Sequence, residues 1–245
     1  MIFEFIFDVF MLLLIVLSLY IAIYIYVRHK QPTWSIHFKK RWLAILLILV
    51  LTMIAAKVIE DVIDEESGPI DHKIILFVHH QVPKGFTDFF ELITLTGSST
   101  VMIPLTTILV AILFFAKRRF DALFLAVSVL GATSLIYFIK MAVGRARPAL
   151  WETEFYWGSS FPSGHTLIVA AFGTACAINI TRVWPRARIY AIITTITWIF
   201  LVGLSRLFLG VHWPMDVLAA ACIGIILPLG MRVALDIFFP HPVSK

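Results

Sequence analysis

Nowhere does this chain carry enough consecutive polar sequence to coat a soluble domain: of its 245 residues only 14% are charged, while 60% are apolar. With a mean hydropathy of +0.95, that scarcity excludes a water-soluble globular protein and indicates a polytopic membrane protein. Cysteine is nearly missing. Cys176 and Cys222 both fall inside apolar runs, which excludes a disulfide framework and a thiolate metal site and leaves the redox compartment unread. Internal repeats, low-complexity tracts and a separate linker are also lacking, so a single membrane-embedded bundle is the economical architecture. The net charge of +5 is no nucleic-acid signal, because the basic residues fall in short clusters between apolar runs, as in loops at an anionic membrane face.

What is present is a series of apolar runs separated by clusters of one sign. Residues 1–8 hold Glu4 and Asp8 but no Lys or Arg, and a run from about Val9 to Val27 follows. At about 1.5 Å per residue this run crosses a hydrocarbon core of about 30 Å. Lacking a basic leader and a small-residue cleavage site, it reads as a retained span and not a signal peptide. Arg28, Lys30, Lys39, Lys40 and Arg41 then crowd one loop, and a second span runs from Trp42 to about Val58. The positive-inside rule puts that loop in the cytoplasm and the N-terminus outside.

Glu60, Asp61, Asp64, Glu65, Glu66 and Asp71 make an acidic external stretch. Polar residues interrupt positions 71–96 too often for a span, but Phe86, Phe89, Phe90 and Ile93 recur at helical spacing, which predicts a short amphipathic helix at the outer interface. His79-His80 invites a metal reading, but ligand spacing and acidic partners are missing and an ordinary interfacial role is preferred.

Further spans are predicted from Gly97 to about Ala116, Ala122 to Tyr137, Thr166 to Ile180, Tyr190 to Leu204 and Pro214 to Leu235. Lys117-Arg118-Arg119 and the cluster Arg182, Arg186, Arg188 fall on the cytoplasmic side, and Trp151, Phe155, Tyr156 and Trp157 suit the headgroup level of an outer loop. Seven spans leave the C-terminus inside. The sequon Asn179-Ile180-Thr181 then sits at a cytoplasmic helix end and is accidental.

Three polar blocks fall together on the other side: Lys140 to Pro148, Pro162-Ser163-Gly164-His165, and Ser205 to Asp216. Each alone has a plain reading. Arg147-Pro148 can be a helix stop with a snorkelling arginine, Pro-Ser-Gly an ordinary helix start, and His212 with Asp216 a structural pair at a helix end. Arg145 is read equally as a rim-level phosphate contact or as surface charge. Charge at the mouth of a span nevertheless asks for function. Lys140, Arg147 and Arg206 can neutralise a phosphate, the arginines by two-pronged bonding, and the backbone amides around Ser163 and Gly164 can add donors at a helix N-terminus.

In order and spacing the blocks resemble the signature of the type 2 phosphatidic acid phosphatase superfamily: Lys140, six residues, Arg147-Pro148; Pro162-Ser163-Gly164-His165; then Ser205-Arg206, five residues, His212, three residues, Asp216. The resemblance implies an all-α transmembrane bundle with a six-span core at 42–245, to which residues 1–41 add one N-terminal span and a basic cytoplasmic loop. It implies His212 as nucleophile, oriented by Asp216, with His165 protonating the leaving oxygen and then activating water. The partners implied are a lipid phosphate and the surrounding membrane lipids, without nucleic acid, and the oligomeric state stays open.

Two histidines and an aspartate also resemble a metal triad. The cations of the same blocks would repel a divalent ion, so neither a metal nor another cofactor is expected, and vanadate should inhibit.

The substrates that the resemblance allows are undecaprenyl pyrophosphate, which is favoured, phosphatidylglycerophosphate, phosphatidate or lipid A, with transfer to an acceptor as a variant of hydrolysis. The setting implied is a bacterial cytoplasmic (inner) membrane with the site on its non-cytoplasmic face. A transporter would need polar residues at mid-span, where this chain is apolar; a non-catalytic lipid-binding protein is the other alternative.

Overall fold

The computed structural model describes residues 2–30, 32–148, 150 and 158–238. These form ten α-helices: α1 (Ile2–Lys30), α2 (Pro32–Lys40), α3 (Trp42–Ile63), α4 (Gly68–Gln81), α5 (Thr87–Thr96), α6 (Ser99–Phe115), α7 (Arg119–Val143), α8 (Gly164–Val183), α9 (Arg188–Phe208) and α10 (Pro214–Phe238). Strands are absent among the described residues. Helix is the conformation that satisfies its own backbone in lipid, and these runs supply the apolar side chains that lipid requires.

Six of the helices are long and apolar enough to span a membrane, and α5 with α6, bent by 42° at their junction, pass the same test only as a pair, as a broken span or a re-entrant loop. The span predicted to begin at Gly97 corresponds to α6, whose 17 residues rise about 26 Å. The outer segment holds two helices where one was predicted. In α5, Phe90 packs on Phe208 of α9 with ring centroids 4.7 Å apart, while Phe86 and Phe89 stay exposed.

Burial grades from the centre outward. In α8, 56% of the span is buried against other helices, whereas in α1 the figure is 11%, so α8 is the axis of the bundle and α1 sits at its edge. The core around Val169, Ala170, Phe172 and Val202 joins α8 to α9, with Met102 of α6 and Phe124 and Leu125 of α7 completing it. Where α8 meets α10 the backbones nearly touch: a Cβ on Gly224 would lie 2.5 Å from Ala170 Cβ and 2.6 Å from the Leu167 carbonyl. Small residues at such crossings let apolar helices pack in lipid, where water supplies no driving force.

Helices α3 and α7 run toward the signature blocks and α8 and α10 run away from them, so the other end of the bundle has its own polar layer. There Asp121, fully buried, accepts from Arg118 Nε at 2.7 Å and Arg182 Nη2 at 2.5 Å, and its carbonyl accepts from Asn179 Nδ2 at 3.1 Å. Asn179 of the sequon is thus buried and engaged. Arg41 at the start of α3 pairs with Asp236 of α10 at 2.6 Å. The predicted headgroup aromatics Trp151, Phe155, Tyr156 and Trp157 lie outside the described residues.

Candidate active site

The three blocks converge. Lys140 stands in the last turn of α7, and its ammonium donates to the Ser159 carbonyl. Gly144 ends that helix with φ of 65°, a left-handed cap in which a glycine carries no Cβ penalty, and so releases the chain toward the site. The strand of loop behind it is fastened to the second block: Ser160 N donates to the Arg145 carbonyl at 2.8 Å and Ser160 Oγ to the Ala146 carbonyl at 3.0 Å. Arg147 is aimed across to the third block, donating from Nη1 to the Val211 carbonyl at 2.8 Å with His212 Nε2 at 3.4 Å.

Ser163 caps α8, and Gly164 and His165 open its first turn. The Ser163 N–H donates to the Asp216 carbonyl at 3.1 Å, and its hydroxyl pairs with Thr166 Oγ1 at 3.0 Å, so that amide locks block two to block three. The first-turn amides of Gly164 and His165 have no intrahelical acceptor, the arrangement in which a helix N-terminus can receive an anion. His165 itself abuts the α5–α6 junction, where a Cβ on Gly97 would lie 3.3 Å from His165 Cβ.

Arg206 lies in the last turn of α9 and is 1% exposed. Its Nη1 donates to Thr94 Oγ1 of α5 at 2.6 Å. Gly210, with φ of 67°, turns the chain back toward His212. The ring of His212 is buried, with Nδ1 3.5 Å from Asp216 Oδ2. The other contact of that oxygen is the Trp213 N–H, at 2.9 Å. Burial draws the His212 imidazole down to about 4 from its ordinary 6.5, and Arg206 and Arg147 act in the same direction, while Asp216 opposes them. His212 is therefore neutral at pH 7, the state in which a ring nitrogen has a lone pair to offer.

Arg145 is neither a phosphate contact at the rim nor surface charge, the two roles read for it. Its Nη1 donates to Asp216 Oδ1 at 2.7 Å, and its Nη2 donates to Asp71 Oδ2 at 2.5 Å and to Ser67 Oγ at 2.7 Å. Asp71, read as part of a solvated acidic stretch, is fully buried. Both errors have one cause: α4 folds back over the signature blocks, a contact between positions more than 70 residues apart that no local pattern announces. The lone acid on the buried side of α4, one turn before Ile75, was the available signal. Thr94 had none.

Among the described residues no three His, Cys, Asp or Glu side chains gather as a metal-ligand set. Apolar helices that bring a lysine, two arginines, a neutral buried histidine and a second histidine to one end define an integral membrane phosphatase. Comparison with known proteins agrees: the PAP2 superfamily profile matches residues 121–236. The chain is 33% identical over 141 residues to phosphatidylglycerophosphatase B of Bacillus subtilis, a match covering 55% of this chain and 68% of the other. It is 26% identical over 190 residues to the undecaprenyl-diphosphatase of Sulfolobus acidocaldarius, covering 75% and 85%. The crystal structure of a transmembrane PAP2 type phosphatidylglycerolphosphate phosphatase from Bacillus subtilis superposes with a TM-score of 0.68 over 82% of this chain and 98% of that one, at 24% identity, and shares the fold. The chain belongs to the PAP2 superfamily.

Proposed function

We propose that the protein removes phosphate from a lipid phosphate or lipid pyrophosphate at the non-cytoplasmic face of a bacterial cytoplasmic membrane. The observation that carries this reading is the meeting of Arg147 and His212 beside the buried Arg206, at the mouth of the spans. A lipid tail can stay in the bilayer there while its headgroup enters a cationic cradle. Three basic clusters at the other helix ends, around Arg41, Arg118 and Arg182, support the sidedness through the positive-inside rule.

In the proposed cycle Lys140, Arg147, Arg206 and the amides of Gly164 and His165 bind the phosphoryl oxygens. His212 Nε2 attacks phosphorus, the bond to the leaving oxygen breaks, and His165 gives that oxygen a proton. Water then attacks the phosphohistidine, passing a proton to His165 as the phosphorus–nitrogen bond breaks and inorganic phosphate leaves. No step uses a metal ion. Residues 1–41 are an addition to a catalytic unit at 42–245.

Undecaprenyl pyrophosphate is the substrate favoured here, supported by the 85% coverage of the archaeal relative. The test is phosphate release by detergent-purified protein, with EDTA, on undecaprenyl pyrophosphate, phosphatidylglycerophosphate, phosphatidate and lipid A, beside His212→Ala. Chelator-resistant turnover that disappears in the variant supports the reading, and the ranking names the substrate. Equal release by the variant, or none from any lipid, overturns it.

A further inference from the structure

The signature accounts for Asp216 but not for Arg145, which holds it, or for Asp71, which holds Arg145. The geometry points to Asp71 and Arg145 as a positioning pair, through which the outer helix α4 sets the place and the effective charge of Asp216, and thereby the nucleophile His212. This inference rests on the reading of His212 as the nucleophile.

Contacts on both sides of the pair carry the argument. Asp71 is satisfied at each oxygen: Oδ2 accepts from Arg145 Nη2 at 2.5 Å, and Oδ1 accepts from the Met215 N–H at 2.9 Å, in the first turn of α10. A carboxylate there also faces the positive end of the helix. The Arg145 guanidinium is fixed by Asp216, Asp71 and Ser67, and it lies 5.7 Å from the centre of the Trp213 ring, whose Nε1 donates to the Ala146 carbonyl at 2.9 Å. Asp216 is consequently pinned by Arg145 on one oxygen and by the Trp213 amide on the other, while His212 Nδ1 stands off at 3.5 Å. The histidine does not place the aspartate; Arg145 does.

Charge gives the second half of the inference. Arg145 alone would cancel Asp216. Asp71 brings the group of three to a net single negative charge, and that charge faces a ring otherwise surrounded by cations. Among the described residues, the charged and titratable groups around His212 and the aspartate beside it are Lys140 at the end of α7, Arg147 in the loop after it, His165 on α8, Arg206 on α9 and Asp216 on α10, with Arg145 on Asp216 and, from α4, His72, whose ring centre lies 4.8 Å from that of Trp213. When the nitrogen–phosphorus bond forms, the imidazole becomes cationic, and the remaining negative charge stabilises it at that moment. Asp71 lies outside every signature block, so its contribution comes from the packing of α4.

The experiment compares full-length Asp71→Asn, Arg145→Gln and Arg145→Lys with the parent protein in detergent, measuring kcat and KM on undecaprenyl pyrophosphate and phosphatidate, inhibition by orthovanadate, and the pH profile of kcat/KM. Positioning predicts that kcat falls roughly 10- to 100-fold in each variant, while KM and vanadate inhibition stay within about threefold because the cradle is intact. It also predicts that the acid limb moves to higher pH in Arg145→Gln, where a positive charge is removed, and not in Asp71→Asn, where a negative one is. Arg145→Lys keeps the charge but not the fork, and it decides the matter if the Gln variant fails to fold. Wild-type kcat in Arg145→Lys overturns the inference, as does a parallel loss of kcat and vanadate binding with an unmoved acid limb. His212→Ala is run alongside. Turnover surviving in that variant removes the phosphohistidine reading, whereas an inactive His212→Ala beside fully active Asp71→Asn and Arg145→Lys removes the positioning pair alone.

Discussion

Arg147 Nη1 stands 3.4 Å from His212 Nε2. A guanidinium has only donors, so the nitrogen it faces carries the lone pair, and the proton of the neutral ring sits on Nδ1, toward Asp216. The same arginine that would bind a phosphoryl oxygen therefore marks the nitrogen that would attack phosphorus.

The pH dependence follows from that neutral ring. With His212 held at about 4 by burial together with Arg206 and Arg147, against the opposing pull of Asp216, the lone pair is present above that pH and lost as protonation proceeds below it. The kcat/KM of the free enzyme should hold from neutrality to about pH 5 and decline below about pH 4. An acid limb centred near the ordinary histidine value of about 6.5 would show that the ring is not held neutral in this way.

Arg206 and Thr94 form the wall opposite, joined at 2.6 Å. Arg206→Lys loses the planar fork and should weaken orthovanadate inhibition roughly 10- to 100-fold. Thr94→Val deletes one hydrogen bond to a charged group, a loss of about 1.5–3 kcal/mol, or about tenfold or more in kcat/KM. Unchanged kinetics in the Val variant would show that Arg206 is held by its other neighbours.

Chelation should be without effect and vanadate should not. Turnover in several millimolar EDTA equal to that in its absence, with orthovanadate competitive against lipid phosphate, is the expected pair of results. Activity lost to EDTA and restored by a divalent ion would refute the metal-free cycle.

At the far end of the bundle, Asp121→Asn should separate stability from catalysis. Asp121 is fully buried between Arg118 and Arg182, but their side chains are 30% and 37% exposed, so solvent screening reduces the loss to about 1–3 kcal/mol. The thermal midpoint in detergent should fall while the specific activity of the folded fraction stays at the parent value. Lost activity at an unchanged midpoint would count against a purely structural role.

Gly224→Ala probes the seam beneath the site. The new methyl would meet the Leu167 carbonyl at 2.6 Å, a backbone atom that cannot swing aside, so α8 and α10 must separate. A marked loss of folded protein, with turnover falling alongside, is the expected outcome. A stable and fully active variant would show that the two helices can part without cost to the centre.

Much of this architecture was legible because lipid imposes simple rules. Apolar runs of span length declared the helices, the charge clusters between them set the expected orientation, and block spacing singled out Lys140, Arg147, His165, Arg206, His212 and Asp216 before any contact was known. What escaped was tertiary. Asp71 resembled its acidic neighbours because an acid beside a span is normally solvated, and only the return of α4 over the blocks buries it. Arg145 was read equally as a rim-level phosphate contact or surface charge for the same reason, since its partners Asp71 and Asp216 lie on other helices. Ser163 was correctly placed at a helix start, but a strand of chain from block three claims its amide. Gly97 was read as the start of a span, and it stands at the bend between α5 and α6, which the apolar run after it does not announce.

The close approach of Gly224 to Ala170 carries a consequence for how such an enzyme can diverge. Helix α8, which carries His165, and α10, which begins just after His212, meet backbone to backbone, leaving few positions in the seam where a substitution could be absorbed. Around them the outer helices expose large apolar side chains to the bilayer, Phe77 of α4, Leu92 of α5 and Ile103 of α6 among them, where one hydrocarbon group can replace another at little penalty. A change of side chain therefore meets little resistance at the periphery and much at the seam between α8 and α10, so sequence drift in such a bundle concentrates on its outer faces.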